Sequence, residues 1–234
     1  MHFIGPKPAI ARPEHELILC CVRTKRDYAT SRRITQLLEA KLNWNYLISI
    51  ATHHRVIPLL YVSLNEISQK TVPGTILAEL QAIFHTNVAN SLALTHELLN
   101  ILDLLKVNNI PAIPFKGPVL AASTYGNLAL RQFTDLDILI HKKDAFSVKE
   151  LLLSEGYRRV SPSSLTNAQE LIYLRAACEY RFISQDGRVA LEPHWGFTQT
   201  KLGVFFDIDA LWQRLGKVEI AGTITSSLSP EDTL

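Results

Sequence analysis

The sequence has few cysteines, namely Cys20, Cys21 and Cys178. Adjacent cysteines cannot readily bridge each other, and there is no Cys-x-x-Cys pair, so the pattern supports neither a disulfide framework nor a zinc site. Runs of about 18 apolar residues are missing too. The first residues also lack a basic stretch followed by an apolar one, as a signal peptide would have. These absences predict a soluble, cytoplasmic protein without a membrane span.

A strong excess of one charge is also missing. The 234 residues include 24 lysines and arginines against 22 aspartates and glutamates, a formal net charge of +2. So small an excess gives no argument for nucleic-acid or membrane binding. Basic residues do cluster between positions 23 and 33. A solvated helix face is the favoured interpretation of this cluster, and a phosphate-contacting face is the alternative.

The first half of the chain has the pattern of helices. Apolar residues recur at helical spacing from about residue 14 to residue 107, and Pro73-Gly74 interrupts them. Thr75 is the expected N-cap of a long helix. We expect a kink or break near Asn87–Ser91, because about thirty residues is long for a globular helix. Residues 1–107 are thus predicted to form an N-terminal helical region.

From Asn108 onwards the pattern changes to short strands and helices. The predicted strands are residues 110–115, 134–140, 180–184 and 188–194, the last two forming a hairpin. A helix at 205–215 and a strand pair at 218–224 follow. The predicted fold class is α+β, with the helical region packed on a small mixed-sheet core at 108–234. Because Ser229-Pro230 resembles the start of another helix, we expect the natural protein to continue into a C-terminal helical region.

The most informative stretch is the predicted strand at 134–140, Thr-Asp-Leu-Asp-Ile-Leu-Ile. Strand side chains alternate between faces, so Asp135 and Asp137 share one face and the aliphatic residues between them share the other. Two carboxylates roughly 5–6 Å apart repel by about 3 kcal/mol at an effective dielectric of about 20. Divalent-metal binding is the commonest use of such a pair. An isolated pair of this kind is as often a solvent-facing feature.

A third carboxylate is predicted to join this pair. In Leu191-Glu192-Pro193-His194-Trp195, Glu192 and His194 share one strand face. If this strand lies beside the Asp-x-Asp strand, Glu192 completes a set that can hold divalent ions for phosphoryl or nucleotidyl transfer. Pro193 donates no ladder hydrogen bond, which predicts a sheet edge at that point. His194 is either a substrate or phosphate contact or a hydrogen-bonded structural histidine.

Phe115-Lys116-Gly117-Pro118 is the predicted phosphate-binding turn. Lys116 and the backbone N–H groups after Gly117 would cradle a phosphate at a helix start, and glycine allows close approach. Arg131 can bind a phosphate bidentately. Alone, Lys116 would more often be a surface lysine, and Arg131 is as well explained by a structural ion pair. Their combination with the carboxylates favours a nucleotide site.

These residues together resemble a known family. Lys-Gly, an Arg four residues before Asp-x-Asp, and Glu-x-His-Trp are similar to the uncharacterised bacterial nucleotidyltransferase family of the DNA polymerase beta-like superfamily. The segments Ala51–Tyr61 and Leu228–Asp232 are similar too, so the resemblance covers about residues 30–234. The superfamily commonly has a second Gly or Ser where this chain has Pro118. Ser123 or Thr124 is the expected substitute for that phosphate contact.

The resemblance implies transfer of a nucleoside monophosphate from an NTP to an acceptor. Asp135 and Asp137 would hold two Mg²⁺ ions, and Glu192 would complete one metal site and act as general base. Lys116, Gly117 and Arg131 would hold the triphosphate. A small molecule or natural product is the favoured acceptor, and a toxin-like enzyme acting on tRNA or protein is an alternative. A nucleotide-binding scaffold without turnover is the third hypothesis. The sequence does not predict the oligomeric state.

Overall fold

The protein has an α+β fold, as predicted. The computed structural model describes residues 12–67, 71–198 and 207–233. The chain divides into two compact units, the first formed by Met1–Ala89 with Ala129–Gln132 and the second by Asn90–Leu128 with Phe133–Leu234. This division falls within a helix, whereas the boundary expected at residue 107 coincides with its end and stays a prediction. No described helix combines the length and apolar character needed to cross a bilayer.

The first unit is helical. Its helices are α1 (Pro13–Cys21), α2 (Tyr28–Leu38), α3 (Trp44–His53), α4 (Ile57–Ile67) and the first part of α5 (Gly74–Val107). Asp27 and Asn43 cap α2 and α3, because their side chains accept hydrogen bonds from backbone N–H groups in the first turn. Leucines and isoleucines from these helices form one buried core. The N-terminal helical region is therefore confirmed.

Helix α5 is continuous from Gly74 to Val107, so a break near residues 87–91 is wrong, while the alternative of a kink there stays a prediction. Polar groups within the helix bond along it; the Thr95 hydroxyl donates to the Ser91 carbonyl at 2.6 Å. Thr75 is also not the N-cap, since the helix already begins at Gly74. The Pro73 carbonyl accepts the first backbone hydrogen bonds of the helix.

The second unit contains a five-stranded mixed sheet. Its strands are β1 (Ala112–Pro114), β2 (Asp135–Ile140), β3 (Arg158–Ser161), β4 (Arg181–Ile183) and β5 (Ala190–His194), in the order β1-β2-β5-β4-β3. Strands β2 and β5 are parallel, and the other pairs are antiparallel. The strands predicted near Asp135 and the hairpin before His194 are thus confirmed.

The second unit also contains helices and a two-stranded hairpin. The helices are α6 (Pro118–Tyr125), α7 (Ala145–Ser154), α8 (Asn167–Ala176), α9 (Ile208–Gln213) and α10 (Pro230–Thr233), and β6 (Gly216–Ile220) pairs with β7 (Thr223–Ser227). The hairpin predicted after α9 is confirmed. The first residues of the helix predicted at 205–215 lie outside the described part of the chain.

The two faces of β2 have the predicted alternation. Leu136, Ile138 and Ile140 are buried in a core shared with the second part of α5 and with α7. Leu139 points to the opposite face, where it joins a smaller core with Phe115. Asp135 and Asp137 therefore start on the face of the sheet that carries the smaller core.

The prediction of a sheet edge at Pro193 is wrong. Strand β5 lies between β2 and β4. The proline is tolerated because β4 begins only at Arg181, so the missing N–H lies beside Tyr180, which precedes the strand. The Pro193 carbonyl still accepts a hydrogen bond from the Tyr180 N–H at 3.0 Å.

Candidate active site

The parallel pairing of β2 and β5 brings the predicted acidic residues together. Asp137 lies opposite Glu192, and Leu139 lies opposite His194. Neighbouring strands are about 4.8 Å apart, so side chains on the same face at paired positions are in reach of each other. The strand that carries Glu192 therefore lies beside the Asp-x-Asp strand, which was the condition for Glu192 to join the two aspartates.

Asp137 is the centre of the site. Its side chain is only 2% exposed, and its Oδ1 accepts hydrogen bonds from Lys116 Nζ at 2.8 Å and from His194 Nε2 at 3.0 Å. Burial raises the pKa of Asp137, but the hydrogen bonds from His194 and Lys116 outweigh it and leave this pKa below its usual range. The site therefore holds a buried, charged carboxylate.

The Lys116-Gly117 turn is built to lie against the start of β2. Gly117 has a φ of +54° and a ψ of −122°, a conformation that is unfavourable for residues with a Cβ atom. A Cβ atom there would be 3.3 Å from the Asp135 carbonyl oxygen. The N–H of Phe115 donates to the Asp137 carbonyl. The glycine thus lets the turn approach the strand, which places the Lys116 amine on Asp137.

Glu192 is paired with an arginine from the neighbouring strand. Arg181 Nε donates to Glu192 Oε1 at 2.6 Å, and the Arg181 side chain is 58% exposed. The pKa of Arg181 lies above its usual range, mainly because of the negative charge of Glu192 and to a smaller extent that of Asp135. An arginine with one end on the site and the rest in solvent is free to reach a charged ligand.

His194 lies between carboxylates on both sides of its ring. Nε2 is 3.0 Å from Asp137 Oδ1 and 3.7 Å from Glu192 Oε2, and Nδ1 is 3.2 Å from Glu179 Oε2. The ring also packs edge-on against Phe115, with 5.1 Å between the ring centroids. These contacts fix the orientation of a side chain that is almost fully buried.

Asp137, Glu192 and His194 form the group that can hold a metal ion. Each offers a ligand atom within 4.8 Å of the others, and no second such group occurs in residues 12–67, 71–198 and 207–233. Asp135, on the same strand face, is half-buried and lies outside this close set. The close set therefore includes His194, which the sequence analysis assigned to nucleotide contact and not to a metal. Metal ligation by Asp135 stays a prediction.

The other residues predicted to contact the nucleotide are Arg131, Ser123 and the backbone amides after Gly117. Arg131 is half-buried directly after the short 3₁₀ helix Leu128–Leu130 and belongs to the first unit. Ser123 is exposed on α6, roughly 9 Å along the helix axis from Gly117 at about 1.5 Å per residue. Pro118 has no N–H, and the Val119 N–H donates to the Lys116 carbonyl. The phosphate contacts expected from Ser123, Arg131 and these amides stay predictions.

Two residues of the site, Glu179 and Arg181, were not found by sequence reasoning. The signal was present in the predicted hairpin. Because Ile183 pairs with Ala190, counting outward from the turn places Arg181 opposite Glu192 and Glu179 opposite His194. Facing residues on antiparallel strands share one face of the sheet, so both side chains reach the carboxylate cluster.

The comparisons with known proteins agree with this geometry. The family described as "uncharacterised nucleotidyltransferase" matches residues 40–234, most of the chain and the whole of the site. The chain belongs to this family. A comparison with curated proteins finds no match. Family membership makes the acidic cluster of this nucleotidyltransferase the natural candidate for its active site.

Proposed function

We propose that this nucleotidyltransferase is an active, metal-dependent enzyme that moves a nucleoside monophosphate from an NTP to a small molecule or natural product. The observation that carries this proposal is the juxtaposition of Asp137 and Glu192 on parallel neighbouring strands, with Lys116 bound to the first and Arg181 to the second. Carboxylates for a divalent ion and cations for a triphosphate thus lie at one place.

The charge of the site fits a divalent cation. Its charged groups are four carboxylates and two cations, namely Asp135, Asp137, Glu179, Glu192, Lys116 and Arg181. Leaving His194 aside, four negative charges against two positive ones leave −2, the charge that one divalent ion neutralises. We assign this Mg²⁺ to Asp137 and Glu192, and a second Mg²⁺, whose charge the triphosphate itself balances, to Asp135. When bound, the ions neutralise triphosphate charge and stabilise the leaving pyrophosphate.

Lys116 and Arg181 are proposed to bind the phosphates. Their side chains are 47% and 58% exposed, so both can turn towards a ligand without leaving a core. Their present partners, Asp137 and Glu192, attract them less once those charges are neutralised. Arginine then offers two parallel N–H groups to a phosphate, and lysine offers a point charge.

Glu192 is proposed to be the general base. Its Oε1 binds Arg181, while its Oε2 faces His194. A carboxylate at this position can accept the proton of an acceptor hydroxyl as the hydroxyl oxygen attacks the α-phosphorus of the NTP, and pyrophosphate leaves. Neutralising the carboxylate while keeping its shape therefore removes the proton acceptor.

A second candidate function is nucleotide binding without turnover. It is favoured by the turn after Gly117, where Pro118 has no N–H and Val119 donates its N–H to Lys116. Fewer backbone donors then remain for the phosphates than a helix start commonly offers. The retained carboxylates and their cations are the reason for preferring the enzyme.

Calorimetric titration with ATP, GTP, CTP and UTP, with and without Mg²⁺, tests the proposal. We expect one nucleotide to bind in a Mg²⁺-dependent manner to the native chain, and we expect Asp137→Asn to abolish this binding. Asp103→Asn, a change of an exposed aspartate on α5, is the matched control and should bind normally. Absence of nucleotide binding by the folded chain would contradict the proposal. Binding without pyrophosphate release with any acceptor tried would favour the second function.

A further inference from the structure

The feature that the proposed function leaves unexplained is the pair of contacts made by the His194 ring. Both ring nitrogens face carboxylate oxygens, Nδ1 that of Glu179 at 3.2 Å and Nε2 that of Asp137 at 3.0 Å. The side chain is 6% exposed, so water does not explain the arrangement. The contacts of both ring nitrogens therefore need an explanation within the site.

The partner of Nδ1 decides which nitrogen can be a ligand. An ionised carboxylate only accepts hydrogen bonds, so Nδ1 must carry a hydrogen to bond with Glu179. By the same rule, Nε2 donates to Asp137 as long as no cation is present. A metal ion placed between Nε2, Asp137 and Glu192 would take the position of that hydrogen and bind all three groups. Histidines that bind metals have this arrangement, with the second nitrogen donating to a carboxylate.

We propose that His194 Nε2 is a metal ligand together with Asp137 and Glu192, that Glu179 orients its ring, and that this position prefers a transition-metal ion such as Mn²⁺ to Mg²⁺. The proposal rests on the proposed function for its purpose, but the site itself is defined by the three mutually close ligand atoms. It differs from the all-carboxylate set predicted from the sequence, because it includes a nitrogen and leaves Asp135 outside.

The preference follows from the chemistry of the donors. Mg²⁺ is a hard ion that takes oxygen ligands and keeps much of its water. Imidazole nitrogen suits first-row transition ions, and Mn²⁺, which carboxylates also suit, is the member of this series that serves as the paramagnetic probe for the site. A site with one nitrogen and two carboxylates therefore gains affinity for Mn²⁺ that it does not gain for Mg²⁺. His194 is the residue that creates the difference.

The site also has the supporting contacts that a metal site requires. Glu179 is 33% exposed and belongs to a backbone bridge opposite His194, so it reaches the ring from the neighbouring chain segment. Phe115 packs edge-on against the ring. Outer-sphere partners of this kind are commonly worth about 10- to 100-fold in metal affinity. Glu179 is therefore a positioning residue.

Mn²⁺ titration followed by electron paramagnetic resonance tests the proposal on the full chain. We expect bound Mn²⁺ to show coupling to a directly bonded nitrogen in pulsed spectra. In His194→Asn this coupling should be lost, and the ratio of Mn²⁺ to Mg²⁺ affinity should fall at least about 10-fold. His96→Asn changes an exposed histidine of α5 and is the matched control, in which coupling and ratio should persist.

Glu179→Gln separates orientation from folding. The substitution keeps the shape of the side chain, so the fold should persist, and the glutamine amide oxygen can still accept the Nδ1 hydrogen, but it lacks the carboxylate charge that strengthens this bond and makes the ring a better ligand. We expect Mn²⁺ affinity to fall about 10- to 100-fold while the nitrogen coupling remains. Glu219→Gln, on an exposed position of β6, is the control for a lost glutamate charge and should leave Mn²⁺ affinity unchanged.

Three results would overturn the proposal: no Mn²⁺ binding by folded protein, bound Mn²⁺ without nitrogen coupling, or an equal Mn²⁺ to Mg²⁺ ratio in native chain and His194→Asn. These failures are distinct from failure of the proposed function. Nucleotide binding with Mg²⁺ but without nitrogen coupling to Mn²⁺ would leave the enzyme and remove His194 as ligand. Nitrogen-coupled Mn²⁺ without any nucleotide binding would leave the metal site and remove the transferase.

Discussion

The second unit holds two clusters of buried charged groups that differ in the ratio of carboxylates to cations. Around Glu170, one carboxylate accepts from Arg159 at 2.9 and 3.0 Å and from the Tyr180 hydroxyl, and Lys149 lies 3.6 Å away. Around Asp137, the carboxylates outnumber the cations. The Glu170 cluster is balanced, because Lys149 also pairs with Glu150 at 3.1 Å, whereas the Asp137 cluster has more negative than positive charge.

The difference separates a structural ion pair from a binding site. Burying a charge is costly, and the cost is offset when partners satisfy it within the fold. The Glu170 cluster meets this condition with its own side chains. In the Asp137 cluster Lys116 and Arg181 pair with Asp137 and Glu192, but the carboxylates still outnumber the cations, and a bound cation best explains this excess of negative charge. Burial of acidic residues alone would not have distinguished the two clusters.

The largest expected effect is that of Asp137→Asn on catalysis. We expect kcat/KM for nucleotide transfer to fall on the order of 1,000-fold, about 4 kcal/mol, because a proposed ligand of the metal is lost. The free energy of unfolding should fall by only about 1 kcal/mol, since the Lys116 amine that loses its partner is half exposed and can return to solvent. Transfer assays and urea unfolding measure the two quantities. A large loss of stability would show that this carboxylate, too, is structural.

Glu170→Gln is expected to do the reverse. It leaves Arg159 and Lys149 buried without their carboxylate, and breaking a buried pair in this way costs about 3 kcal/mol. Nucleotide affinity, measured by calorimetry on the remaining folded protein, should stay within about twofold of the native value. Glu150→Gln, an exposed neighbour on α7, serves as the control and should be neutral in both assays. Equal losses of binding and stability would erase the distinction between the clusters.

Arg181→Gln gives a smaller effect on the site. We expect NTP affinity to fall about 10-fold, about 1.4 kcal/mol, through the loss of a phosphate contact. Stability should hardly change, because the Arg181 side chain is more than half exposed and such pairs contribute little. Arg188→Gln changes an exposed arginine on the same hairpin and should bind NTP normally. If both variants bind equally well, Arg181 serves only to balance the charge of Glu192.

The sequence predicted the Asp137 cluster far better than the Glu170 cluster, for a physical reason. Alternation along a strand shows in the sequence, so the shared face of Asp135 and Asp137 was readable, and the hairpin fixed the strand that carries Glu192. A glutamate on a helix has no such sign. Whether Glu170 faces solvent or meets Arg159 depends on how helix and sheet pack, which local pattern does not encode.

The wrong predictions have related causes. The continuity of α5 and the interior position of Pro193 both depend on tertiary contacts that outweigh a local preference. The role of His194 was left open because a histidine on a strand can bond to many partners. Its partners were defined only when the pairing of strands placed Glu179 on one side of the ring and Asp137 on the other.

The smallest effect concerns the acid side of the stability profile. Burial raises the pKa of Glu170, but hydrogen bonds from Tyr180 and Arg159 outweigh it, so the folded-state pKa lies below the ordinary value. As the pH falls, the unfolded chain therefore takes up this proton first. The contribution of Glu170 is complete above the ordinary carboxylate range, near pH 4, and is lost as the pH falls through the folded-state pKa.

Urea unfolding at a series of pH values measures this contribution directly. The difference in unfolding free energy between the native chain and Glu170→Gln should be largest near pH 7 and should shrink steadily on acidification, because protonation abolishes in the native chain what the substitution has already removed. A difference that stays constant down to low pH would mean that the cost of Glu170→Gln comes from packing rather than from charge. The cluster would then no longer serve as the balanced counterpart of the Asp137 site.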